Sequence, residues 1–533
     1  MYFLSILAGA SLAASAAIGF DKRQSGVPQY FQTTPEVFAG PTPTGVPAFL
    51  AETNPAPFPS TTYIPPQPLE TQTPIKGAPA NGNIYHLHGQ LSHYFPNPDG
   101  LGVNEYSLPK GSNISQVHVL HRHGSRYPTA TPPTVDKLLN TTVKWKASGQ
   151  LAFLNDWTYK LGQQILTPVG KQELFDSGAL HQYLYGHLYP HDGSKIIARS
   201  TTQDRMTQSA EYFLAGFFGL QWTNNATLEL IIEEPNFNNT LAGYMNCNNS
   251  NLAPGESGNT AEAEWYTIYL ADALKRLQGM IDPPDILNVT DLYNFQSLCA
   301  YETVALGYSD FCGLFTYEEW EGYEYSVDIN FAGNNAFQSP TGRAVGIGYV
   351  QEIRARLQHH LITSAEGQLN TTLDGMSSTF PLNQSLYFDF SHDTNIMGIL
   401  TAFGITQFQP FLSAQAITPG RWLQVSHLEP FGARLDIEII KTPRPVPADR
   451  AADYADSGDP TTYVHFVLNQ RTLPLGFSYG ECGNRADGWC EIGAFLDATA
   501  GLFDEADYEF ACFGNYSAVP YGQITNGVPL KSS

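Results

Sequence analysis

The stretch Arg122-His123-Gly124-Ser125-Arg126-Tyr127-Pro128 is an Arg-His-Gly-x-Arg-x-Pro pattern with five fixed positions. Two guanidiniums flank one imidazole, and guanidinium groups match phosphate oxygens in bidentate pairs. A neutral imidazole in such a clamp can attack phosphorus and form a phosphohistidine. Gly124 has no Cβ, so the backbone can approach a bulky anion there. The stretch predicts a phosphate site with His123 as the nucleophile; the alternative is a solvated basic turn.

Three short β-rich runs each lead into polar, reactive residue types. The first run enters the stretch above, the second ends at Arg199, and the third ends at Ser391-His392-Asp393. The runs are Val117–Leu120, Lys195–Ala198 and Leu386–Phe390. In open α/β sheets, ligands bind at the carboxyl ends of the strands. The pattern therefore predicts that these groups meet at one edge of a sheet.

His392 and Asp393 suit two further tasks in phosphate chemistry. His392 can hydrogen-bond a phosphate oxygen, and Asp393 can protonate the departing alkoxide, which is a poor leaving group without a proton. Each residue alone also fits a structural role: a core histidine for His392, a helix N-cap for Asp393 and a surface ion pair for Arg199. Their position at strand ends, together with the first motif, favours the catalytic interpretation.

A metal site is the competing interpretation of the histidines on the first strand. His118 and His121 lie close to His123 in the sequence, and imidazoles are common metal ligands. A metal also needs further converging ligands, and the adjacent Arg122 would repel it. We therefore expect neither a metal nor another cofactor.

The charge balance limits the kinds of partner. The 533 residues include 27 Lys and Arg against 50 Asp and Glu, a formal net charge of −23. Nucleic acids and anionic membranes require basic patches, so neither is expected as a partner. An anionic substrate must then be held by a local cluster of cations.

The N-terminal part of the chain indicates export. Residues 1–20 are apolar and rich in small residues, which is typical of a signal peptide, with a membrane anchor as the competing interpretation. Residues 21–82 are rich in Pro and Thr and predict a linker or pro-segment. Nine N-glycosylation sequons predict N-glycans on a secreted protein, with the cell wall as the alternative extracellular location. They lie at Asn113, Asn140, Asn225, Asn238, Asn248, Asn288, Asn370, Asn383 and Asn515.

Six cysteines, an even number, predict disulfides in an oxidising compartment, although the residues alone allow fifteen pairings. The remaining chain, 83–533, has the mixed pattern of an α/β domain. Periodic apolar residues predict a helix beginning at Asp204 and others over 261–277 and 346–357. Strand signals are sparse between about 220 and 350, which indicates an inserted helical subdomain.

The chain resembles the histidine acid phosphatases, the fungal acid phosphatase and phytase branch of the phosphoglycerate-mutase-like superfamily. The similarity extends over most of the chain after about residue 83. Besides the decisive stretch, it includes Gly89–Ser92, Leu166–Gly170, Arg199 with Asp204-Arg205, Phe315–Trp320, Phe380–Leu382 and Asp389–Asp393.

The resemblance implies an α/β sandwich core with an inserted helical subdomain. It implies His123 as nucleophile, Asp393 as acid, and a set of phosphate ligands comprising Arg122, Arg126, Arg199 and His392. It also implies three disulfides, Cys247–Cys512, Cys299–Cys312 and Cys482–Cys490. A further cysteine of many fungal phytases would fall at Ser112, so that disulfide is absent here.

A second departure from similar phytases concerns the substrate. Those enzymes often place lysines after the motif and in the helical subdomain, where they hold the outer phosphates of phytate. The corresponding stretches here, 129–135 and 325–331, contain no Lys or Arg. We therefore expect a secreted acid phosphatase that accepts phytate among other monoesters. The alternatives are a dedicated phytase and a non-catalytic cell-wall or binding protein on the same fold.

Overall fold

The structure, a computed structural model, describes residues 75–140 and 142–531. The predicted signal peptide, 1–20, and most of the predicted linker, 21–82, lie outside these ranges. Within them, no helix combines the length and apolarity that crossing a membrane requires.

Among the residues that the structure describes, ten strands form one large mixed sheet and a small two-stranded ribbon. The order across the large sheet is β10-β8-β7-β1-β6-β3-β4, with β9 paired to β8, while β2 pairs with β5. The strands are β1 (Asn113–Arg122), β2 (Lys146–Ala147), β3 (Ile196–Thr201), β4 (Ala226–Ile231), β5 (Ile281–Asp282), β6 (Leu386–Ser391), β7 (Arg434–Thr442), β8 (Thr461–Leu468), β9 (Arg471–Leu473) and β10 (Cys490–Glu491).

Fourteen α-helices are present among the described residues. They are α1 (Pro133–Leu139), α2 (Pro168–Tyr185), α3 (Asp204–Phe218), α4 (Ser257–Tyr269), α5 (Ala271–Gln278), α6 (Val289–Leu306), α7 (Tyr317–Asn334), α8 (Gly342–Leu357), α9 (Thr371–Asp374), α10 (Asp393–Ala402), α11 (Val425–Leu428), α12 (Ile492–Ala498), α13 (Leu502–Ala506) and α14 (Tyr508–Phe513).

The strands β1, β6, β3 and β4 are parallel and bring the three predicted strand ends to one edge. Arg122, the last residue of β1, is in register with Ser391, the last residue of β6. On the other side of β6, β3 continues to Thr201 and is parallel to β4. The residues that follow β1 and β6 therefore lie side by side, as the sequence predicted, whereas β3 continues past Arg199, where the sequence placed its end.

Helices cover both faces of the sheet because side chains alternate along each strand. On one face, Val119 and Phe388 pack with Phe213 of α3 and Leu174 of α2. On the other face, Leu120 belongs to the larger core, with residues of α8 and α10. These layers confirm the predicted α/β fold class.

The helical region lies between the sheet strands β4 and β6. Helices α4 to α7 fall within the predicted range of about 220–350, whereas β4, also in that range, belongs to the main sheet. The helix expected over 261–277 is interrupted at Leu270, between α4 and α5. The one expected from 346 begins earlier, at Gly342.

All six cysteines are paired as the family resemblance implied. The pairs are Cys247–Cys512, Cys299–Cys312 and Cys482–Cys490. The first connects the segment between β4 and α4 to the C-terminal helix α14, across 265 residues of sequence.

Candidate active site

His123 follows the end of β1 and is 1% exposed. Its Nδ1 lies 2.9 Å from the carbonyl oxygen of Gly124. An Nδ1–H that donates to this carbonyl leaves the lone pair of Nε2 available for attack on phosphorus. Burial, together with the positive charges of Arg122, Arg205 and Arg126, holds the pKa of His123 well below its ordinary value. This downward shift favours the neutral, nucleophilic form of the imidazole.

The loop after His123 packs tightly against the first turn of α2. A Cβ on Gly124 would lie 2.3 Å from the carbonyl oxygen of Gly170, and one on Gly170 would lie 2.0 Å from that of Ser125. The contact that requires glycine at 124 is therefore with a helix, which the sequence alone did not indicate.

Glu173 of α2 holds the same loop in place through hydrogen bonds. Its carboxylate accepts hydrogen bonds from Ser125 N at 2.6 Å, Ser125 Oγ at 2.9 Å and Tyr94 N at 3.1 Å. Burial raises the pKa of Glu173 to about 7, against the effect of these hydrogen bonds. Sequence reasoning did not single out this residue because a Glu in an amphipathic helix normally faces solvent.

Arg122 is completely buried and held by three acceptors. Its Nη1 donates to the carbonyls of Gln90 (2.6 Å) and Glu429 (2.5 Å), and its Nη2 donates to Asp393 Oδ2 at 2.5 Å. The guanidinium also lies 4.6 Å from the ring centroid of Phe431. These contacts immobilise the cation beside His123.

Arg126 is oriented by Tyr301 of α6. Its Nη1 donates to the Tyr301 hydroxyl at 3.3 Å and to the carbonyl of Tyr127 at 3.1 Å. Arg126 is 9% exposed, so only a small part of it is accessible to water. The helical region, through Tyr301, thus helps to position Arg126, a residue of the stretch 122–128.

Asp393 begins α10 and faces Arg122. Its Oδ1 accepts from Thr394 N at 2.8 Å. Burial opposes ionisation, but the charges of Arg122 and Arg126 outweigh it and hold the pKa of Asp393 below its usual value. Without substrate, the group is therefore a carboxylate, and a bound anion must change this for it to donate a proton.

His392 stands next to His123, with ring centroids 5.7 Å apart. Its Nε2 lies 2.9 Å from Oε2 of Glu233, two residues beyond the end of β4. The structure therefore brings His123, His392 and Asp393 together with the arginines of the motif.

Arg199 lies elsewhere. It is within β3, two residues before the strand ends, and its side chain is on the face occupied by a buried ion cluster. Its Nε and Nη2 donate to Asp389, at 2.7 and 3.0 Å, and its Nη2 also donates to Glu352 at 2.5 Å. The structure does not place it at the phosphate site, because the strand continues further than the apolar run suggested and its guanidinium is saturated by carboxylates.

Arg205, in the first turn of α3, occupies the position that the sequence assigned to Arg199. Burial and the positive charge of Arg126 lower the pKa of Arg205 to about 10, and its own charge lowers the pKa of His123. Its place directly after a strand end, at a helix start, is the signal that could have identified it.

Three guanidiniums around His123 share one property. The Nε atoms of Arg122, Arg126 and Arg205 are buried and have no hydrogen-bond partner among the described residues. Buried polar groups are normally paired, and an unpaired charged donor is costly. Three such donors around one imidazole indicate a site built for an anion.

The other strand histidines do not form a metal site with His123. His118 stacks on Tyr387 with a centroid distance of 4.4 Å, whereas His121 contacts the Arg122 carbonyl and Ser177 Oγ, at 2.6 and 2.7 Å. Across 75–140 and 142–531, no group of three or more His, Cys, Asp or Glu is arranged to hold a metal ion.

Comparisons with known proteins agree with this geometry. Residues 113–469 match the sequence model of the histidine phosphatase superfamily, branch 2. Phytase A of Aspergillus oryzae is 30% identical over 441 residues, covering 78% of this chain and 90% of the relative. Phytase A of Aspergillus fumigatus is 32% identical over 416 residues, covering 73% and 83%. The crystal structure of the phytase from D. castellii, 22% identical, covers 82% of this chain and 90% of that one with a TM-score of 0.62, and shows the same fold.

Proposed function

The chain belongs to branch 2 of the histidine phosphatase superfamily and is a phosphoric monoester hydrolase, and we propose that His123 is its nucleophile. The observation that carries the proposal is that three buried arginines, whose positive charges lower the pKa of His123, each have an unpaired Nε atom. In this arrangement Arg122, Arg126 and Arg205 bind the phosphoryl oxygens. They stabilise the negative charge that spreads over those oxygens in the transition state.

The reaction has two steps. In the first, the Nε2 lone pair of His123 forms a bond to phosphorus while the bond from phosphorus to the ester oxygen breaks. Asp393 gives its proton to that oxygen, so the product leaves as an alcohol. In the second, Asp393 accepts a proton from a water molecule that attacks phosphorus, which breaks the P–N bond and releases inorganic phosphate.

Substrate binding supplies the protonated form of Asp393. The carboxylate is ionised because Arg122 and Arg126 stabilise its charge. A phosphate anion that binds to the same arginines satisfies their charge and adds its own repulsion, which raises the pKa of Asp393. A monoester entering as the monoanion brings the proton with it at acidic pH.

Trapping the covalent phosphohistidine intermediate is the most direct test of this mechanism. Quenching the native enzyme in an alkaline denaturant during turnover of a monoester labelled in its phosphate should trap the label on His123, where peptide mapping at alkaline pH would find it. Alkaline conditions preserve the phosphohistidine. His123→Ala should lose turnover and the trapped label together. A variant that kept a tenth of the native rate would contradict the covalent mechanism.

The expected substrate range depends on which basic side chains are available to bind the outer phosphates of phytate. Lys137, near the motif, is paired with Asp291 of α6 at 2.5 Å. In the stretch 325–331, Asn330 donates to Asn259 and Glu262, at 3.0 and 3.1 Å, and supplies no positive charge. The relatives named Phytase A support phytate as an accepted substrate. Together these features favour a broad acid phosphatase that also hydrolyses phytate, over a dedicated phytase.

We also propose that the enzyme is secreted and carries N-glycans. Three disulfides require an oxidising environment to form. Several of the sequon asparagines, among them Asn113, Asn288 and Asn515, are exposed and accessible to a glycan.

A further inference from the structure

A buried carboxylate, Glu233, stands behind His392. Glu233 is 4% exposed, and its Oε2 lies 2.9 Å from His392 Nε2. Its other oxygen, Oε1, accepts from the Tyr244 hydroxyl at 2.8 Å and from the side-chain amide of Gln203. Both carboxylate oxygens are therefore held, and the one that meets His392 has a defined direction.

This contact determines what the other ring nitrogen of His392 can do. A ring nitrogen that faces a carboxylate carries a proton and donates it, so Nε2 is engaged. Only Nδ1 is then available to form a hydrogen bond with an anion bound beside His123. An Nδ1 that donates to a phosphate oxygen also carries a proton, and an imidazole that donates from both nitrogens is the imidazolium.

The environment of Glu233 provides the opposite charge. Burial opposes its ionisation, but the charge of His392 and the hydrogen bonds to the carboxylate outweigh burial and lower the pKa of Glu233. The cation of Arg205 acts in the same direction. This downward shift favours the carboxylate form of Glu233, which has the charge opposite to that of an imidazolium.

We propose that Glu233 is a positioning residue: it keeps His392 as the imidazolium with Nδ1–H directed at the phosphoryl group of the substrate. The proposal rests on the proposed function, because it assigns a role within that same site. It adds a second pair, carboxylate and imidazole, to the pair formed by Asp393 and Arg122. A purely structural role for Glu233, in holding the segment of Thr202 and Gln203, is the competing explanation.

The two roles differ in their pH dependence. Glu233→Gln keeps the size of the side chain and an acceptor for Nε2–H but removes the charge that stabilises the imidazolium. Without that charge, the hydrogen bond that Nδ1–H donates to phosphate loses its support as the solution becomes less acidic, so phosphate binding weakens first at the alkaline side. A structural defect would instead lower binding by a similar factor at every pH.

The sheet offers a matched control. Glu438 of β7 accepts from the Tyr185 hydroxyl at 2.7 Å and lies 2.8 Å from His465 Nδ1. Glu438 thus contacts one Tyr hydroxyl and one His ring nitrogen, as Glu233 does with Tyr244 and His392. It is located where β7 faces Val117, at the middle of β1 and away from His123.

The experiment measures inorganic phosphate binding by calorimetry, and kcat/KM for an aryl phosphate, from about pH 4 to about pH 7.5. For Glu233→Gln we expect phosphate affinity to fall about 10- to 100-fold near neutral pH, the usual effect of removing a carboxylate behind a ligating histidine. We expect a loss below about threefold near pH 4, and an alkaline limb of kcat/KM that moves to lower pH. Glu438→Gln should leave both profiles as in the native enzyme. Comparing proteins at equal pH cancels the titration of phosphate itself.

Glu233→Asp provides the second variant, because it retains the charge while shortening the side chain. Its rate should fall but its alkaline limb should stay near the native position. An equal loss at all pH values for Glu233→Gln, or a shifted limb for Glu233→Asp, would overturn the proposal. If the native protein bound phosphate but failed to hydrolyse monoesters, the proposed function would be wrong, and the pH dependence of binding would still decide the role of Glu233.

Discussion

The proposed mechanism requires Asp393 to donate a proton in a site that stabilises its ionised form. The geometry resolves this because the cation that depresses its pKa, Arg122, is one of those placed to bind the phosphate. The same arginine therefore serves as partner of the carboxylate before binding and of the substrate afterwards. Proton donation by Asp393 is thus linked to the arrival of the anion.

Replacement of Asp393 by Asn should separate leaving groups by their need for a proton. For alkyl phosphates we expect kcat to fall about 10²- to 10⁴-fold, the usual contribution of a general acid. Aryl phosphates should lose much less, because a phenolate departs readily without protonation. The measurement is kcat for one alkyl and one aryl ester on the native and variant enzymes. Equal losses for the two esters would count against Asp393 as the donor.

Arg199 and Arg205 offer a direct comparison of two buried arginines from the same segment. Arg205→Met should lower kcat/KM by about 10²- to 10³-fold, as expected for loss of a transition-state donor, with little change in stability. Arg199→Met should instead destabilise the fold by about 3–5 kcal/mol, because Asp389 and Glu352 would be left buried without their cation. Thermal unfolding and kinetics on both variants check this. Loss of activity in a stable Arg199→Met protein would return that residue to the site.

At the scale of elements, the site depends on the contact between the loop after β1 and the first turn of α2. Thr167 caps α2 by accepting from Gly170 N at 3.1 Å, and Pro168 occupies its first turn. This helix start is therefore rigid, and the loop of Ser125 rests directly on it. The loop that follows β1 and begins with His123 is therefore positioned by a helix to which the proposed mechanism assigns no reacting group.

A single methyl group at this contact should be costly. In Gly170→Ala the new Cβ meets the Ser125 carbonyl, so the loop must move, and we expect a loss of about 1–3 kcal/mol in stability with a drop in kcat of at least tenfold. Gly493→Ala is the control, because Gly493 also lies in the first turn of a helix, α12, with nothing within 4 Å of the new Cβ. That variant should keep full activity and gain up to about 1 kcal/mol. Native kinetics in Gly170→Ala would show that the loop has room to adjust.

At the scale of the whole molecule, charge decides how selective the enzyme can be. The chain has 27 basic residues against 50 acidic ones, so an anion is attracted only where cations cluster. One phosphoryl group finds that cluster around His123. The outer phosphates of phytate would need further cations, and Lys137 is already paired with Asp291.

We therefore expect phytate to be hydrolysed without a strong preference. The measurement is kcat/KM for phytate and for an aryl phosphate at the pH optimum of the native enzyme. The two values should agree within about tenfold, which corresponds to about 1.4 kcal/mol of transition-state binding. A larger preference for phytate would establish a dedicated phytase and would mean that other basic residues line the pocket.

The sequence alone was enough to predict those features that depend on short, contiguous motifs. The strand before His123, the nucleophile's flanking arginines and the pair His392-Asp393 are contiguous motifs, and their meeting at one edge follows from the general geometry of parallel strands. The helix beginning at Asp204 was also predictable, because its apolar residues repeat with the helical period. The disulfide pairing was available only through family resemblance, since spacing alone leaves fifteen possibilities.

What the chain could not reveal depends on contacts between segments far apart in sequence. Arg199 and Arg205 are both arginines near one strand end, and only the length of β3 and the face on which each side chain lies assign one to an ion cluster and the other to His123. Likewise, Glu233 is one acidic residue among fifty until the fold sets it 2.9 Å from His392, 159 positions away. The sequence by itself determined the fold class and predicted His123 as nucleophile and Asp393 as acid, because these predictions come from short motifs. The tertiary structure decided which arginines lie near His123 and which carboxylate contacts His392, because burial and pairing arise only when the strands are assembled.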